Sequence, residues 1–75
     1  MKKTPHPADV TAGRLIRERR RFLGMTQTDL AVACGIRFQQ IQKYETAQNR
    51  VSVSRISDIA EILEVKPSYF FQEAG

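Results

Sequence analysis

The stretch GMTQTDLAVACGIRFQQIQKYE, residues 24–45, decides the fold. Gly24 ends a preceding helix in the left-handed turn that glycine favours. Thr26-Gln27-Thr28-Asp29 then resembles a capping box, with Asp29 where glutamate is usual, and predicts a helix opening at Thr26. Leu30, Ala31 and Cys34 supply its apolar face and Gly35 its end. Ile36 plugs the turn, and a further helix follows from about Phe38 to Thr46. Ile41 and Tyr44 point inward there, leaving Gln39, Gln40, Gln42 and Lys43 for solvent or a ligand. Two short helices across a tight glycine-containing turn form a helix-turn-helix unit.

The same punctuated helical pattern extends in both directions. Before Gly24, a helix is expected from about Thr11 to Leu23, with Ala12, Leu15, Ile16, Arg19 and Leu23 on one face. Arg19 can lay its aliphatic stem on that face and keep its charge in water. After the loop from Ala47 to Val51, Ser52 caps a fourth helix running to Leu63. Its inner stripe reads Val53, Ile56, Ile59, Ala60 and Leu63. Pro67 suits the first position of a short fifth helix carrying Tyr69, Phe70 and Phe71. The expected fold is all-α, a compact five-helix domain over residues 11–73 behind a flexible arm, residues 1–10, that contains Lys2, Lys3, Pro5, His6 and Pro7.

The composition narrows the function. The 75 residues allow one small domain. The formal charge of +4 is uneven: residues 1–50 carry a net +6 and residues 51–75 a net −2. One positive end suits a polyanion, although on charge alone an ordinary solvated surface stands slightly ahead. The single cysteine, Cys34, excludes an internal disulfide and reads as a buried small hydrophobe. His6 has no second ligand nearby, and neither a metal-ligand spacing nor a carboxylate pair appears, so neither an enzyme nor a cofactor is expected. No apolar run approaches the ~20 residues of a membrane span, and Lys2-Lys3 is not followed by the apolar region of a signal peptide. A cytoplasmic, soluble protein without a small-molecule ligand is expected.

A helix that is thin and polar on its outer face can enter a groove ~12 Å wide and offer side chains to base edges. Glutamine both donates and accepts, matching adenine N6 and N7, and lysine offers donors to guanine or phosphate. A glutamine-rich face also serves simply to keep a helix soluble. On this helix alone the two readings stand even.

From Gly13 to Phe71, about four fifths of the chain, the sequence resembles the Cro, phage-repressor and XRE family of helix-turn-helix regulators. The resemblance rests on Ile16-Arg17, Arg20, Gly24-Met25-Thr26-Gln27, Leu30-Ala31, Gly35-Ile36, Ile41, Tyr44-Glu45, Ile59-Ala60, Leu63 and Val65 in order. It implies a lambda-repressor-like fold and a major-groove recognition helix at about residues 38–46. It implies that Thr26 caps the second helix and that Gln27 meets a phosphate together with the helix N-terminus. Phe38, Gln39 and Lys43 stand where the family places base contacts, with Phe38 suited to a thymine methyl group or to bracing the turn. Arg37 and Gln42 are secondary candidates, and Asn49 and Arg50 fall in the loop that touches the DNA backbone. Arg20 and Glu45 match the family's internal ion pair, a structural role.

The chain departs from the pattern at three places. Ala47 stands where glycine is common, and Arg37 and Lys66 occupy cap positions without a side-chain acceptor. The expected activity is sequence-specific binding of double-stranded DNA by a homodimeric transcriptional regulator, a repressor, on inverted repeats. Half-sites would lie ~34 Å apart. Tyr69, Phe70 and Phe71 are the candidate dimer surface, with at least one closing the core. The competing class is a protein-binding adaptor or antitoxin-like module acting through the acidic C-terminal part. A non-specific nucleoid-type binder is a third.

Overall fold

The computed structural model describes residues 4–72. Lys2 and Lys3 of the expected arm, and residue 73 at the expected domain end, lie outside the described residues. Four α-helices follow one another: α1 (Pro7–Phe22), α2 (Gln27–Cys34), α3 (Phe38–Glu45) and α4 (Val53–Ile62). The expected fifth helix is a single 3-10 segment, Pro67–Phe71. Pro67 brings no amide hydrogen, Lys66 supplies no side-chain cap, and Gln72 is already extended, so nothing propagates that turn into an α-helix.

α1 opens four residues earlier than Thr11. His6 is its N-cap, with Nδ1 accepting the Ala8 amide at 3.0 Å and Pro7 in the first turn. Pro7 to Val10, expected in the arm, are therefore helical.

All four helices end alike. Within two residues of each end stands a positive φ: Gly24 (73°), Gly35 (72°), Ala47 (60°) and Glu64 (62°). At each, the last carbonyls are taken up by paired amides, as in Gly24 N–H to Arg21 and Met25 N–H to Arg20, both 3.0 Å. Ala47 thus adopts the geometry of the glycine it stands in for. A left-handed L-residue costs about 1–2 kcal/mol, against about 0.4–1 kcal/mol of extra chain entropy lost by glycine on folding. Ala47→Gly and Glu64→Gly are therefore each expected to stabilise the domain, by roughly 0.5–1 kcal/mol. Urea unfolding monitored by circular dichroism checks this, and an unchanged or lower midpoint would show that the strain is relieved elsewhere.

α1 packs against α3 and the 3-10 segment, α2 against α3 and α4, and α4 closes on the 3-10 segment. Ile16, Leu30, Ile41, Ile59, Leu63 and Phe70 are fully buried at the centre. Phe70 is therefore removed from the candidate dimer surface: it closes the core, with Tyr69 edge-on to it at 5.3 Å. Val53, expected on the inner stripe of α4, is 83% exposed, because the buried face begins at Ile56. Cys34 is half-buried at the edge of the core, and burial pushes its thiol pKa up.

Gly13 sets the crossing of α1 over α3. A Cβ there would overlap the Tyr44 carbonyl oxygen and lie 2.9 Å from that of Glu45. Both obstacles are backbone atoms, so only glycine lets the two helices approach this closely.

Candidate nucleic-acid interface

α2 begins with the capping box its sequence spells out. The Asp29 amide donates to Thr26 Oγ1 at 2.9 Å, and the Thr26 amide donates to Asp29 Oδ2 at 2.9 Å. The Thr26 backbone amide first, and its hydroxyl second, hold the Asp29 carboxyl below the usual carboxylate range. This contribution to stability is present above the ordinary carboxylate pKa and fades as pH falls through the lower folded value. The box consumes the amides of Thr26 and Asp29. Those of Gln27 and Thr28 remain directed out of the helix end, where an anion is favoured.

Beneath this end lies the Arg20–Glu45 pair. Arg20 Nε donates to Glu45 Oε2 at 2.7 Å and Nη2 to Oε1 at 3.1 Å, while Nη1 donates to the Met25 carbonyl at 2.8 Å. Gln27 Nε2 adds a fourth bond, to Glu45 Oε1 at 3.0 Å. The two charged side chains are 9% and 2% exposed, so this bidentate pair is an internal tie joining α1, the turn before α2, and the end of α3. Three of the five Arg20 N–H donors are committed inside this tie. Gln27 is half-committed, with one side-chain N–H and its backbone amide still available.

α3 is fixed by Ile41 and Tyr44, both buried, and displays the opposite face. Phe38, Gln39, Gln42 and Lys43 are exposed on it, and Phe38 at 41% is neither a buried brace nor a free ring. Gln40 turns out half-buried instead of open to solvent. Arg37 caps α3 with no side-chain hydrogen bond, so its guanidinium stands at the start of the helix without that local duty. A shallow groove runs beside α3, lined by Ile36, Arg37, Gln39, Gln40, Lys43 and Arg55.

The loop after α3 is tied back to α1. Arg50 Nε donates to Asp9 Oδ2 at 3.1 Å, the arginine side chain remaining 74% exposed. Asn49 is exposed beside it, its amide bonded to the Lys43 carbonyl at 3.2 Å. The structure thus places the nine candidate contact residues on α2's start, α3's outer face and the following loop. Asp9 and Arg55 are new to this surface. Nothing in the sequence marks them, since each reaches it through packing of a distant element: Asp9 on Arg50, and Arg55 on the Cys34 carbonyl at 3.3 Å, steadied within α4 by Asp58 at 3.8 Å.

The expected stem role of Arg19 also gains a partner. Its Nε donates to the Leu63 carbonyl at 2.8 Å and its guanidinium lies 5.0 Å from the centre of the Phe22 ring. Among the described residues, no group of three or more His, Cys, Asp or Glu stands together that would hold a metal ion. No helix among them is long and apolar enough to cross a membrane.

An α2–turn–α3 unit clamped by a buried ion pair, with one polar helix face turned outward, is the geometry of helix-turn-helix proteins. Residues 16–70 match the helix-turn-helix family, and the chain belongs to it. An uncharacterized HTH-type transcriptional regulator of Sinorhizobium medicae is 52% identical over 73 residues, 97% of this chain and 52% of that protein. An uncharacterized transcriptional regulator in the ATPase CF(0) region of Rhodospirillum rubrum is 46% identical over 71 residues, 95% of this chain and 66% of that one. The chain spans about half the length of the Sinorhizobium relative. Among solved structures, the restriction-modification controller protein C.AhdI from Aeromonas hydrophila superposes with a TM-score of 0.82 at 29% identity, covering 88% of this chain and 100% of that one. The resemblance to Cro-like and XRE regulators therefore holds in family and in fold.

Proposed function

We propose that this chain is the DNA-reading part of a transcriptional regulator that lays α3 in the major groove of double-stranded DNA. The observation that carries this is the division of α3. Ile41 and Tyr44 anchor one face in the core, and Phe38, Gln39, Gln42 and Lys43 project from the other on a rigid frame. Gln39 and Lys43 read base edges, Phe38 presses on a thymine methyl group, and Arg37 and Gln42 assist. The Gln27 and Thr28 amides, capped into place by Thr26, hold a phosphate, as do Asn49 and Arg50 from the following loop.

Two copies bind an inverted repeat, because one domain presents too few base contacts for specificity. Phe71, 59% exposed, and half-buried Tyr69 replace the original aromatic trio as the pairing surface. Occupation of a promoter in this way would repress transcription, and the protein would act in the cytoplasm. The relatives' names as transcriptional regulators support this reading.

Selection of bound sequences from a random duplex library at near-physiological salt, with Gln39→Ala in parallel, tests it. An enriched inverted repeat, altered or lost with Gln39→Ala, is expected. Salt-sensitive binding with no enriched sequence would overturn base reading and leave a non-specific binder. A tight protein partner without duplex binding would replace the proposal with the adaptor reading.

A further inference from the structure

We infer that Arg17 and Arg21 of α1 form a second wall of the α2 phosphate site and bind the DNA backbone outside the recognition helix. This rests on the DNA-binding reading above and adds two contact residues from α1, outside the α2–turn–α3 unit.

The argument begins with the four arginines of α1's second half. Each of the other two is tied to the protein: Arg20 to Glu45 and the Met25 carbonyl, Arg19 to the Leu63 carbonyl and the Phe22 ring. Arg14, one turn earlier, is paired with Glu18 at 2.9 Å. Among the described residues, Arg17 and Arg21 make neither an ion pair nor a side-chain hydrogen bond. They stand four residues apart, so their guanidinium groups share one face of the helix, an arrangement that like charges disfavour. A neighbouring carboxylate would ordinarily relieve it. The two carboxylates that line grooves with them are both engaged elsewhere: Glu18 pairs with Arg14, and Glu45 accepts from Arg20 and Gln27.

The two arginines line one groove with Arg20, Gln27, Glu45 and Thr46. That groove joins α1's outer face to the first turn of α2, where the Gln27 and Thr28 amides have no partner among the described residues, and to the end of α3. Two free guanidinium groups, an unfilled helix N-terminus and a half-committed glutamine thus converge on one concave, open surface. An anion with several acceptor oxygens, held on an extended polymer, fits it: a phosphodiester of the duplex that α3 enters. Contacts of this kind position the protein and carry no base information.

The test is a salt titration of duplex affinity for the wild-type chain, Arg17→Gln/Arg21→Gln, and Lys66→Gln as a single-charge control on the far 3-10 end. The double variant is expected to bind every duplex more weakly and to lower the slope of log K against log salt by about one per arginine per bound copy. Its selected sequence should match that of the wild type, and its thermal unfolding should be unchanged or raised by relief of repulsion. A slope loss no larger per charge than that of Lys66→Gln would overturn the inference while leaving DNA binding intact. A wild-type chain without duplex binding at low salt would overturn both readings.

Discussion

Raising the salt from about 50 to about 200 mM is expected to weaken duplex binding ~10³–10⁵-fold, the range for a protein that neutralises roughly 6–10 phosphates. Arg37, Lys43 and Arg50 stand exposed around α3 and the loop behind it, and residues 1–50 carry the net positive charge. Each cation that replaces a condensed counterion adds to the slope. Residues that read bases act differently. Gln39→Ala should cost ~1–3 kcal/mol on the preferred sequence alone and leave the slope in place. Lys43→Ala should reduce both. Fluorescence anisotropy with labelled duplexes across a salt series separates these cases. An affinity that barely responds to salt would remove phosphate binding, and with it the interface described here.

Glu45→Ala is expected to destabilise the folded domain by ~3–5 kcal/mol, the cost of stranding a buried charge. The substitution leaves Arg20, 9% exposed at its side chain, with only the Met25 carbonyl. It also leaves the Gln27 carboxamide without the partner that orients it. A domain of this length has a total stability of roughly 4–11 kcal/mol, so much of it would unfold at ambient temperature. Arg20→Met combined with Glu45→Leu should recover most of the loss, since an apolar pair of similar volume avoids the desolvation of both ions. Chemical denaturation followed by circular dichroism decides the matter. A loss below ~1 kcal/mol for Glu45→Ala would make the pair equivalent to a surface ion pair and remove its role as the tie of α1 to α3.

Much of this could be read in advance, for local reasons. The Thr26–Asp29 box, the Ser52 cap and the glycines after α1 and α2 act through bonds within a few residues, so their chemistry is legible in order along the chain. The buried stripes of α1, α2 and α3 follow helical spacing and needed no partner to be seen. Short local signals were less sure where two of them competed. Pro67 announced a helix start, but nothing behind it could propagate the turn, and the segment stayed 3-10.

Four helices, their order and the polar outer face of α3 follow from the residue pattern alone, and the family resemblance implies the pairing of Arg20 with Glu45. Tertiary structure decided what periodicity leaves open. It chose Arg20 over Arg19 for burial, because the carboxylate that compensates the charge comes from 25 residues away. It put Val53 in solvent and Phe70 in the core, because α4's buried face starts one turn later and the gap between α1 and α4 needed one ring. It gave Gly13 its purpose, since the obstructing carbonyls of Tyr44 and Glu45 belong to another helix. Spacing along a helix assigns a face; which side chain on that face is buried, bonded or left free depends on what the rest of the chain brings against it.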